Sequence, residues 1–272
     1  MGDEHARRPR ALTIAGSDSG GGAGIQADLK TFSALGVFGM TAVTAVTVQN
    51  TLGVSGYEAI SPSVVADQIT AVVSDIGVDA AKTGMLASAA IVEAVAEAVS
   101  KSGVPNLVVD PVFVSKHGHR LLEENAVSGL RDRILPLATL VTPNLPEAAG
   151  LAGFEVTSRD LMEDAAEVIR AIGPAAVLVK GGHLGDSPTS DDLFFDGDRM
   201  EWLTAERIDT PNTHGTGCTL SSSIAAYLAR GDSLLEAVRK GKAFVTQAIR
   251  GALPIGAGIG PVDHLWGTTP QA

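Results

Sequence analysis

Short apolar runs alternate with stretches of helical periodicity along most of this 272-residue chain. The alternation is typical of βαβ units around a mostly parallel sheet, because a helix must carry the chain back between parallel strands. The predicted strands cover residues 11–15, 40–48, 80–83, 107–110, 140–142 and 176–180. In such a sheet the ligand binds outside the carboxyl ends of the strands, so the site is expected there.

Two local patterns add detail to this α/β prediction. Ser88 can cap a helix that runs to about residue 101, in which apolar residues recur every fourth position from Ile91 to Val99. Residues 193–203 carry Asp-Gly-Asp at 196–198 between two apolar runs, which is typical of a β-hairpin. The hairpin departs from the parallel pattern, and we place it at a sheet edge.

Composition restricts the class of partner. The formal net charge is −11, and such an acidic chain lacks the basic face that nucleic acid requires. An anionic substrate must therefore be held locally, by a metal ion, a few lysines or helix N-termini. No apolar run is long enough to span a membrane.

The chain contains one cysteine, Cys218, which can form neither an intramolecular disulfide nor a zinc site alone. A reducing compartment fits, so we expect a cytoplasmic protein. No repeat or linker marks a boundary between domains. We expect a flexible tail at residues 1–10 and a single domain at residues 11–268.

A first glycine-rich segment, residues 16–24, follows a strand and leads into a helix. Residues 22–27 match the G-x-G-x-x-A dinucleotide fingerprint, but that fingerprint needs an acid roughly 20 positions further on. No acid lies between Asp28 and Glu58, so the fingerprint fails. The segment is then a substrate loop or a plain turn, and Asp28 either contacts a substrate or interacts with the helix dipole.

The most specific motif is Thr-His-Gly-Thr-Gly-Cys at residues 213–218, which precedes a stretch of helical composition. Its glycines expose the N–H groups of a helix N-terminus, where partial positive charge gathers. A transferring phosphoryl group can be stabilised there, so we predict an anion hole at Gly215 and Gly217. A Walker A loop is absent, since Glu236 stands where the motif before Gly241-Lys242 requires glycine.

Cys218 lies in the field of this predicted helix, which is expected to lower its thiol pKa. Two other interpretations stay open. One is a cysteine nucleophile for acyl transfer with His214 as its base, but no orienting acid follows His214 locally. The other is a glycine-rich helix start with an inert thiol, which leaves the glycines unexplained.

Polar residues follow several predicted strands. Asp110 and Glu147 can hold Mg²⁺ directly or through water, and Lys180 can neutralise phosphate oxygens. Asn144 and Glu147 also fit the N-cap and N3 positions of a capping box. At the end of the second strand, Gln49 offers a donor and an acceptor to the edge of a heterocycle.

Several motifs in order resemble the phosphomethylpyrimidine kinase family of the ribokinase-like fold, and the resemblance covers residues 12–261. The motifs are Ala-Gly-Ser-Asp and Gly-Gly-Ala-Gly-Ile-Gln-Ala-Asp-Leu-Lys within residues 15–30, Val-Gln-Asn-Thr at 48–51, Thr-Pro-Asn-Leu-Pro-Glu at 142–147, Lys-Gly-Gly-His at 180–183 and His-Gly-Thr-Gly-Cys-Thr at 214–219. The resemblance implies a three-layer α/β/α sandwich. It also implies two ATP-dependent phosphorylations, of 4-amino-5-hydroxymethyl-2-methylpyrimidine and then of its monophosphate, which yield the pyrimidine diphosphate used for thiamine.

The resemblance further implies roles for individual residues and a homodimer. The implied substrate pocket consists of Gly16, Asp28, Gln49, Met85 and Val112. The implied Mg-ATP site consists of Asn144, Lys180, Thr213, His214 and Thr216, with Asp110 and Glu147 serving the metal. The implied catalytic groups are Lys180, Gly215, Gly217 and Cys218, the last as a base because related sugar kinases have aspartate at that position.

Three alternatives to this assignment remain. A pyridoxal kinase of the same fold is one, although Gln49 favours the pyrimidine. An oxidoreductase using the first glycine-rich segment and a non-catalytic pyrimidine-binding protein are the others. His117 and His119 stand in a segment where the family commonly shows Lys-Ser-Gly-Asp, and we expect a surface loop there rather than a metal site.

Overall fold

Ten strands lie within the residues that the computed structural model describes, which are 7–113, 124–182, 184–185 and 187–268. The strands are β1 (Arg10–Ala15), β2 (Phe38–Val43), β3 (Ala45–Asn50), β4 (Gly53–Ala59), β5 (Ala80–Thr83), β6 (Leu107–Val109), β7 (Leu140–Val141), β8 (Val177–Lys180), β9 (Thr189–Phe195) and β10 (Met200–Glu206). Five of the six predicted strands are found within one residue of their predicted bounds. Arg10, assigned to the tail from sequence, instead begins β1 and pairs with Asp79 at 2.8 Å.

The helices of the described residues are α1 (Gly24–Ala34), α2 (Pro62–Asp75), α3 (Ala89–Ser102), α4 (Glu124–Gly129), α5 (Leu145–Ala152), α6 (Arg159–Ile172), α7 (Thr216–Ala229) and α8 (Leu234–Arg250). The predicted cap of α3 is confirmed, since the Ser88 hydroxyl accepts from the Ile91 amide. A left-handed Gly103 ends the same helix. None of these helices has the length and apolar character needed to cross a lipid bilayer.

The central sheet has eight strands in the order β10-β9-β8-β7-β6-β5-β1-β2. The strands from β8 to β2 in this order are parallel, whereas β9 pairs with β8 and β10 in antiparallel fashion. The predicted hairpin is therefore confirmed, with β10 at the sheet edge. Its strands extend further than expected, from Thr189 to Glu206.

The prediction of one strand over residues 40–48 is wrong. Thr44 separates β2 from β3, and its hydroxyl donates to the Met85 carbonyl at 2.6 Å while its N–H donates to the Ala15 carbonyl at 3.0 Å. The chain leaves the central sheet at that point. Strand β3 then pairs with β4, a strand that we did not predict, in a separate antiparallel pair. This pair carries Gln49 away from the plane of the central sheet.

Apolar residues cover both faces of the central sheet and form two core clusters. One contains buried residues of α2, α3, α5 and α6, such as Ile69, Val95 and Ile169. The other contains residues of α1, α7 and α8, such as Phe32 and Ile224. The sheet therefore lies between two helical layers, which confirms the predicted three-layer α/β/α sandwich. Burial of these side chains is the main stabilising contribution to such a fold.

Candidate active site

A tight loop built around Asp18 follows β1 at the carboxyl edge of the sheet. The Asp18 carboxylate accepts from the N–H groups of Gly20, Gly22 and Ala23 at 2.8, 3.1 and 2.8 Å. Gly24 has a φ of +57°, and a Cβ at that position would lie 2.5 Å from the Gly16 carbonyl oxygen. The first glycine-rich segment is therefore an ordered loop held by its own carboxylate, directly before α1.

Helix α7 begins within the second glycine-rich motif, as the sequence predicts. Gly215 is its N-cap with a φ of +81°, and the Thr216 hydroxyl donates to the Thr213 carbonyl at 2.8 Å. The first N–H groups of a helix have no partner within it and carry partial positive charge, so this end suits an anion. A Cβ on Gly215 would lie 1.8 Å from the Gly22 carbonyl oxygen. The two glycine-rich loops therefore contact each other backbone to backbone.

A side-chain pair also joins these loops. His214 Nε2 lies 2.8 Å from Asp18 Oδ2, and both side chains are buried. Gln49 Nε2 lies 3.4 Å from the same ring nitrogen. Sequence reasoning missed the pair, because it searched for an acid only near His214 in the chain. Nothing in the sequence around Asp18 indicates this distant partner.

A lysine and two carboxylates cluster at the ends of β6, β7 and β8. Lys180 Nζ lies 2.9 Å from Asp110 Oδ1 and 3.8 Å from Glu147 Oε2, and all three side chains are mostly buried. Burial opposes the charge on Lys180, but the two carboxylates outweigh it and raise the pKa of the ammonium. A Cβ on Gly217 would lie 3.5 Å from both Asp110 Oδ2 and Lys180 Nζ. The start of α7 is thus packed directly on this cluster.

Glu147 has a structural role as well as a position in the cluster. Its Oε2 accepts from the Asn144 N–H at 2.8 Å, and the Asn144 Oδ1 accepts from the Glu147 N–H at 2.9 Å. The predicted capping box of α5 is therefore confirmed. Burial raises the pKa of Glu147 to about 7, with Asp110 adding to the effect and Lys180 opposing it. A further cation nearby would stabilise the ionised carboxylate.

Cys218 lies in the first turn of α7 and is partly exposed. Burial raises the pKa of its thiol to about 11, and the nearby carboxylates Asp28 and Asp110 contribute in the same direction against Lys82. The expectation of a lowered thiol pKa is therefore wrong, because desolvation outweighs the helix N-terminus. A thiol that stays protonated near neutral pH argues against the interpretation of Cys218 as an acyl-transfer nucleophile.

Asp28 lies beneath the site in an ion pair that sequence reasoning did not anticipate. Its Oδ2 is 2.9 Å from Lys82 Nζ and accepts from the Thr13 hydroxyl at 2.6 Å. Asp28 and Lys82 are both 0% exposed. The structure therefore shows the Asp28 side chain fully enclosed by protein. Direct contact between Asp28 and a substrate stays a prediction.

We expect Asp28→Asn to destabilise the fold strongly, because it leaves the buried Lys82 ammonium without its charge partner. Breaking a buried pair in this way typically costs about 3–5 kcal/mol in the free energy of unfolding. Equilibrium urea unfolding measures the change. Glu97→Gln is the matched control, since Glu97 pairs with Lys101 on the exposed surface of α3. An unfolding midpoint that moves as little for Asp28→Asn as for Glu97→Gln would contradict the expectation.

Of the other residues predicted for the substrate pocket, Gly16 and Met85 are neighbours, whereas Val112 and Gln49 contact residues outside that predicted set. A Cβ on Gly16 would lie 3.1 Å from the Met85 sulfur, so these two residues are neighbours at the ends of β1 and β5. Val112 lies two residues after Asp110, and its N–H donates to the Asp110 carbonyl at 2.9 Å. Gln49 contacts His214 from β3. His117 and His119 lie outside the described residues.

A comparison with protein families decides the identity of this fold and site. The model of the family described as phosphomethylpyrimidine kinase matches residues 18–263. The chain belongs to this family. The hydroxymethylpyrimidine/phosphomethylpyrimidine kinase of Streptomyces coelicolor is 53% identical to it over 258 residues, which cover 95% of each chain. This phosphomethylpyrimidine kinase family member is therefore an enzyme of the kinase class, as the sequence motifs predicted.

Solved structures support the ribokinase-like fold of this family member. Pyridoxal kinase from Bacillus subtilis, in an ADP complex, is 41% identical with a TM-score of 0.88, over 94% of this chain and 97% of that one. Phosphomethylpyrimidine kinase from Clostridium difficile is 42% identical with a TM-score of 0.79, over 89% of this chain and all of that one. The oxidoreductase and non-catalytic alternatives receive no support from these relatives.

Proposed function

We propose that this kinase transfers the γ-phosphoryl group of ATP to the hydroxymethyl group of 4-amino-5-hydroxymethyl-2-methylpyrimidine, and then phosphorylates the monophosphate to the diphosphate used for thiamine. The observation that carries the proposal is the relative from Streptomyces coelicolor, which is named for both activities and matches along 95% of both chains. The ADP complex of the Bacillus subtilis relative supports an adenine nucleotide as co-substrate.

Transfer is proposed to proceed in line, by positioning and electrostatic stabilisation rather than through a covalent intermediate. The N–H groups at Gly215 and Gly217 stabilise negative charge on the transferring group, and the charged Lys180 beside them neutralises phosphate oxygens. Both lie at one edge of the sheet, since Gly217 packs against Lys180. Asn144, Thr213 and Thr216 are proposed to complete the ATP site. The ring of His214, which the resemblance also assigns there, is buried against Asp18 instead.

Mg²⁺ fits the residues present. Asp110 and Glu147 supply hard carboxylate oxygens, and burial, with the Asp110 charge adding to it, raises the pKa of Glu147 to about 7. The described residues contain no cluster of three or more His, Cys, Asp or Glu that would enclose a metal. Mg²⁺ commonly uses one or two carboxylates and completes its shell with phosphates and water. Bound there, Mg²⁺ would be held by Asp110 and Glu147 and would neutralise charge on the ATP phosphates, while Lys180 fixes the Asp110 carboxylate.

The thiolate form of Cys218 is proposed to accept the proton of the substrate hydroxyl as the O–P bond forms, which converts it to the thiol. With a thiol pKa of about 11, only a small fraction is thiolate at neutral pH, and while the pH stays below the pKa that fraction grows about tenfold for each unit of rising pH. We expect Cys218→Ser to bind both substrates normally but to lose roughly 10²-fold in kcat, a common magnitude for general-base removal. Unchanged kcat in this variant would overturn the role.

The pH profile provides a second measurement for Cys218. The kcat of the unmodified enzyme should rise between pH 7 and 9, whereas the profile of Cys218→Ser should be flatter, because a serine hydroxyl does not titrate in that range. Steady-state assays of ADP release across this range measure the difference. Parallel profiles for the two proteins would show that the titrating group lies elsewhere.

A second candidate substrate is pyridoxal, which is favoured by the similarity to the Bacillus subtilis pyridoxal kinase. The decisive experiment measures ADP release from Mg-ATP with the hydroxymethylpyrimidine, its monophosphate and pyridoxal offered separately. Turnover of both pyrimidines with poor turnover of pyridoxal supports the proposal. Turnover of pyridoxal alone would replace the substrate assignment while leaving the kinase assignment in place.

We also propose a homodimer in the cytoplasm. Val46 and Val48 of β3 are about half exposed or more, at 52% and 64%, and an apolar strand face of this kind favours a protein contact. The single cysteine and the use of ATP favour a reducing, intracellular compartment. Multi-angle light scattering measures the dimer, and Val48→Asp should shift the mass to that of a monomer.

A further inference from the structure

The Asp18–His214 pair joins parts of the chain that are 196 residues apart. Asp18 is 1% exposed and His214 is 6% exposed, so their 2.8 Å contact is shielded from water. Asp18 already accepts from three backbone N–H groups of its own loop. Its carboxylate therefore fixes the first glycine-rich loop and the His214 ring with the same two oxygen atoms.

The position of one hydrogen follows from this contact. Burial by itself would raise the pKa of Asp18, but the hydrogen bond and charge of His214 and the backbone amides outweigh burial and lower it. An ionised carboxylate can only accept hydrogen bonds. His214 Nε2 must therefore carry the hydrogen and donate it to Asp18, whether or not the ring has a net charge.

Gln49 is held by the same loop. Its N–H donates to the Ser19 hydroxyl at 2.8 Å, and that hydroxyl donates to the Gln49 carbonyl at 2.7 Å. Its side-chain amide lies 3.4 Å from His214 Nε2. The residue next to Asp18 thus fixes the Gln49 backbone, while the partner of Asp18 lies against the Gln49 side chain.

The hydrogen on His214 Nε2 restricts the orientation of the Gln49 amide. A ring nitrogen that donates to Asp18 cannot accept from an amide NH₂, and two donors placed against each other are unfavourable. Nitrogen and oxygen of a glutamine amide are assigned from such networks. The stable arrangement turns the Gln49 carbonyl oxygen toward the His214 ring and the NH₂ group away from it.

We propose that Asp18 and His214 are positioning residues that orient the Gln49 amide so that its NH₂ group faces the substrate. The ligand class selected is then a heteroaromatic ring that presents a hydrogen-bond acceptor, such as a pyrimidine ring nitrogen, at the edge next to Gln49. This inference rests on the proposed function, because it takes Gln49 to be a residue that contacts the pyrimidine substrate. The new element is that Asp18 and His214 determine whether the NH₂ group or the carbonyl oxygen of Gln49 faces the substrate.

A double-mutant cycle between His214 and Gln49 tests the proposal. His214→Asn is too short to donate from the Nε2 position, whereas His214→Gln can place an N–H there. We expect His214→Asn and Gln49→Leu each to raise the KM for the pyrimidine about 10-fold, a common effect of losing one hydrogen bond. The double variant should be no worse than either single variant, because both act through one amide.

A purely structural connection between the loops would give a different result. It predicts that the KM for ATP rises together with the KM for the pyrimidine, and that the effects of the two variants add. The proposal instead predicts that the KM for ATP changes less than about 3-fold, and that His214→Gln restores most of the pyrimidine affinity. Additive effects, or no rescue by His214→Gln, would overturn it.

The cycle is performed with whichever substrate the unmodified enzyme accepts, so the pyrimidine assignment can fail while the coupling is still measured. If the His214 variants do not fold, a second measurement on the unmodified protein still tests the proposal. In the unmodified protein, the side-chain N–H signals of Gln49, assigned by their loss in Gln49→Leu, are followed by NMR as the hydroxymethylpyrimidine or pyridoxal is added. The proposal expects them to shift downfield with the bound ring, and unchanged signals at saturation would overturn it.

Discussion

Gly215→Ala should reduce kcat by about 10²-fold or more and lower thermal stability, even though it adds only one methyl group. The φ of +81° is unfavourable for alanine, and the new Cβ would lie 1.8 Å from the Gly22 carbonyl oxygen. Neither backbone segment can move alone, because the Gly22 N–H donates a hydrogen bond to the Asp18 carboxylate and Gly215 is the N-cap of α7. The loops must separate, and the N–H groups of the anion hole move with them. A loss of this size is typical when one such donor is misplaced.

Gly36→Ala is the matched control for this prediction. Gly36 also has a positive φ, of +74°, but a Cβ there meets no atom within 4 Å among the described residues. It should therefore show only the backbone strain of alanine, on the order of 1 kcal/mol, with normal kcat. Steady-state kinetics and thermal unfolding of both variants distinguish the effect of the contact with Gly22 from the backbone strain of alanine at positive φ. Equal losses in the two variants would show that the contact between loops is unimportant.

Asp110→Asn should reduce kcat by roughly 10²–10³-fold, the scale typical of removing one preorganised group that stabilises charge in a transition state. The substitution keeps the shape of the side chain but removes a carboxylate that Lys180 holds at 2.9 Å. Mg²⁺ then has only Glu147, which is already committed to the capping box of α5. We therefore expect the Mg²⁺ concentration for half-maximal rate to rise at least 10-fold.

A titration of Mg²⁺ at saturating ATP distinguishes metal binding from a general disturbance. Asp75→Asn, at the exposed end of α2, is the control and should behave as the unmodified enzyme. If Asp110→Asn lowers kcat without changing the Mg²⁺ dependence, Asp110 does not hold the metal. Asp110 would then act through Lys180 alone, and Lys180→Met should give the same loss.

The features that were predictable from sequence are local ones. The hairpin turn at residues 196–198, the cap at Ser88 and the Asn144–Glu147 capping box depend on residues within a few positions of each other. The clustering of Asp110 and Lys180 was also predictable, because parallel strands bring their carboxyl ends to one edge of the sheet.

The features that sequence reasoning missed depend on contacts between distant residues. The Asp18–His214 contact requires β1 and the start of α7 to be placed side by side, which no local spacing reveals. The raised thiol pKa of Cys218 depends on the desolvation that surrounding residues create. The break at Thr44 is fixed by contacts such as the hydrogen bond to the Met85 carbonyl, whereas valines with high strand propensity stand on both sides of it, at 43 and 46.

The position of His214 has a consequence for the order in which the enzyme matures on the ribosome. The His214 N–H donates to the Gly260 carbonyl, and the His214 carbonyl accepts from the Val262 N–H. Strands β1 to β10 are all synthesised before residue 214, so the sheet can form on a nascent chain that still lacks these partners. Because these two bonds hold the His214 backbone in place, we expect phosphoryl transfer only after residues 260–262 have been added and folded onto it. A chain translated only to residue 214 has every strand of the sheet, but it lacks α7 and α8, which supply much of the second core cluster.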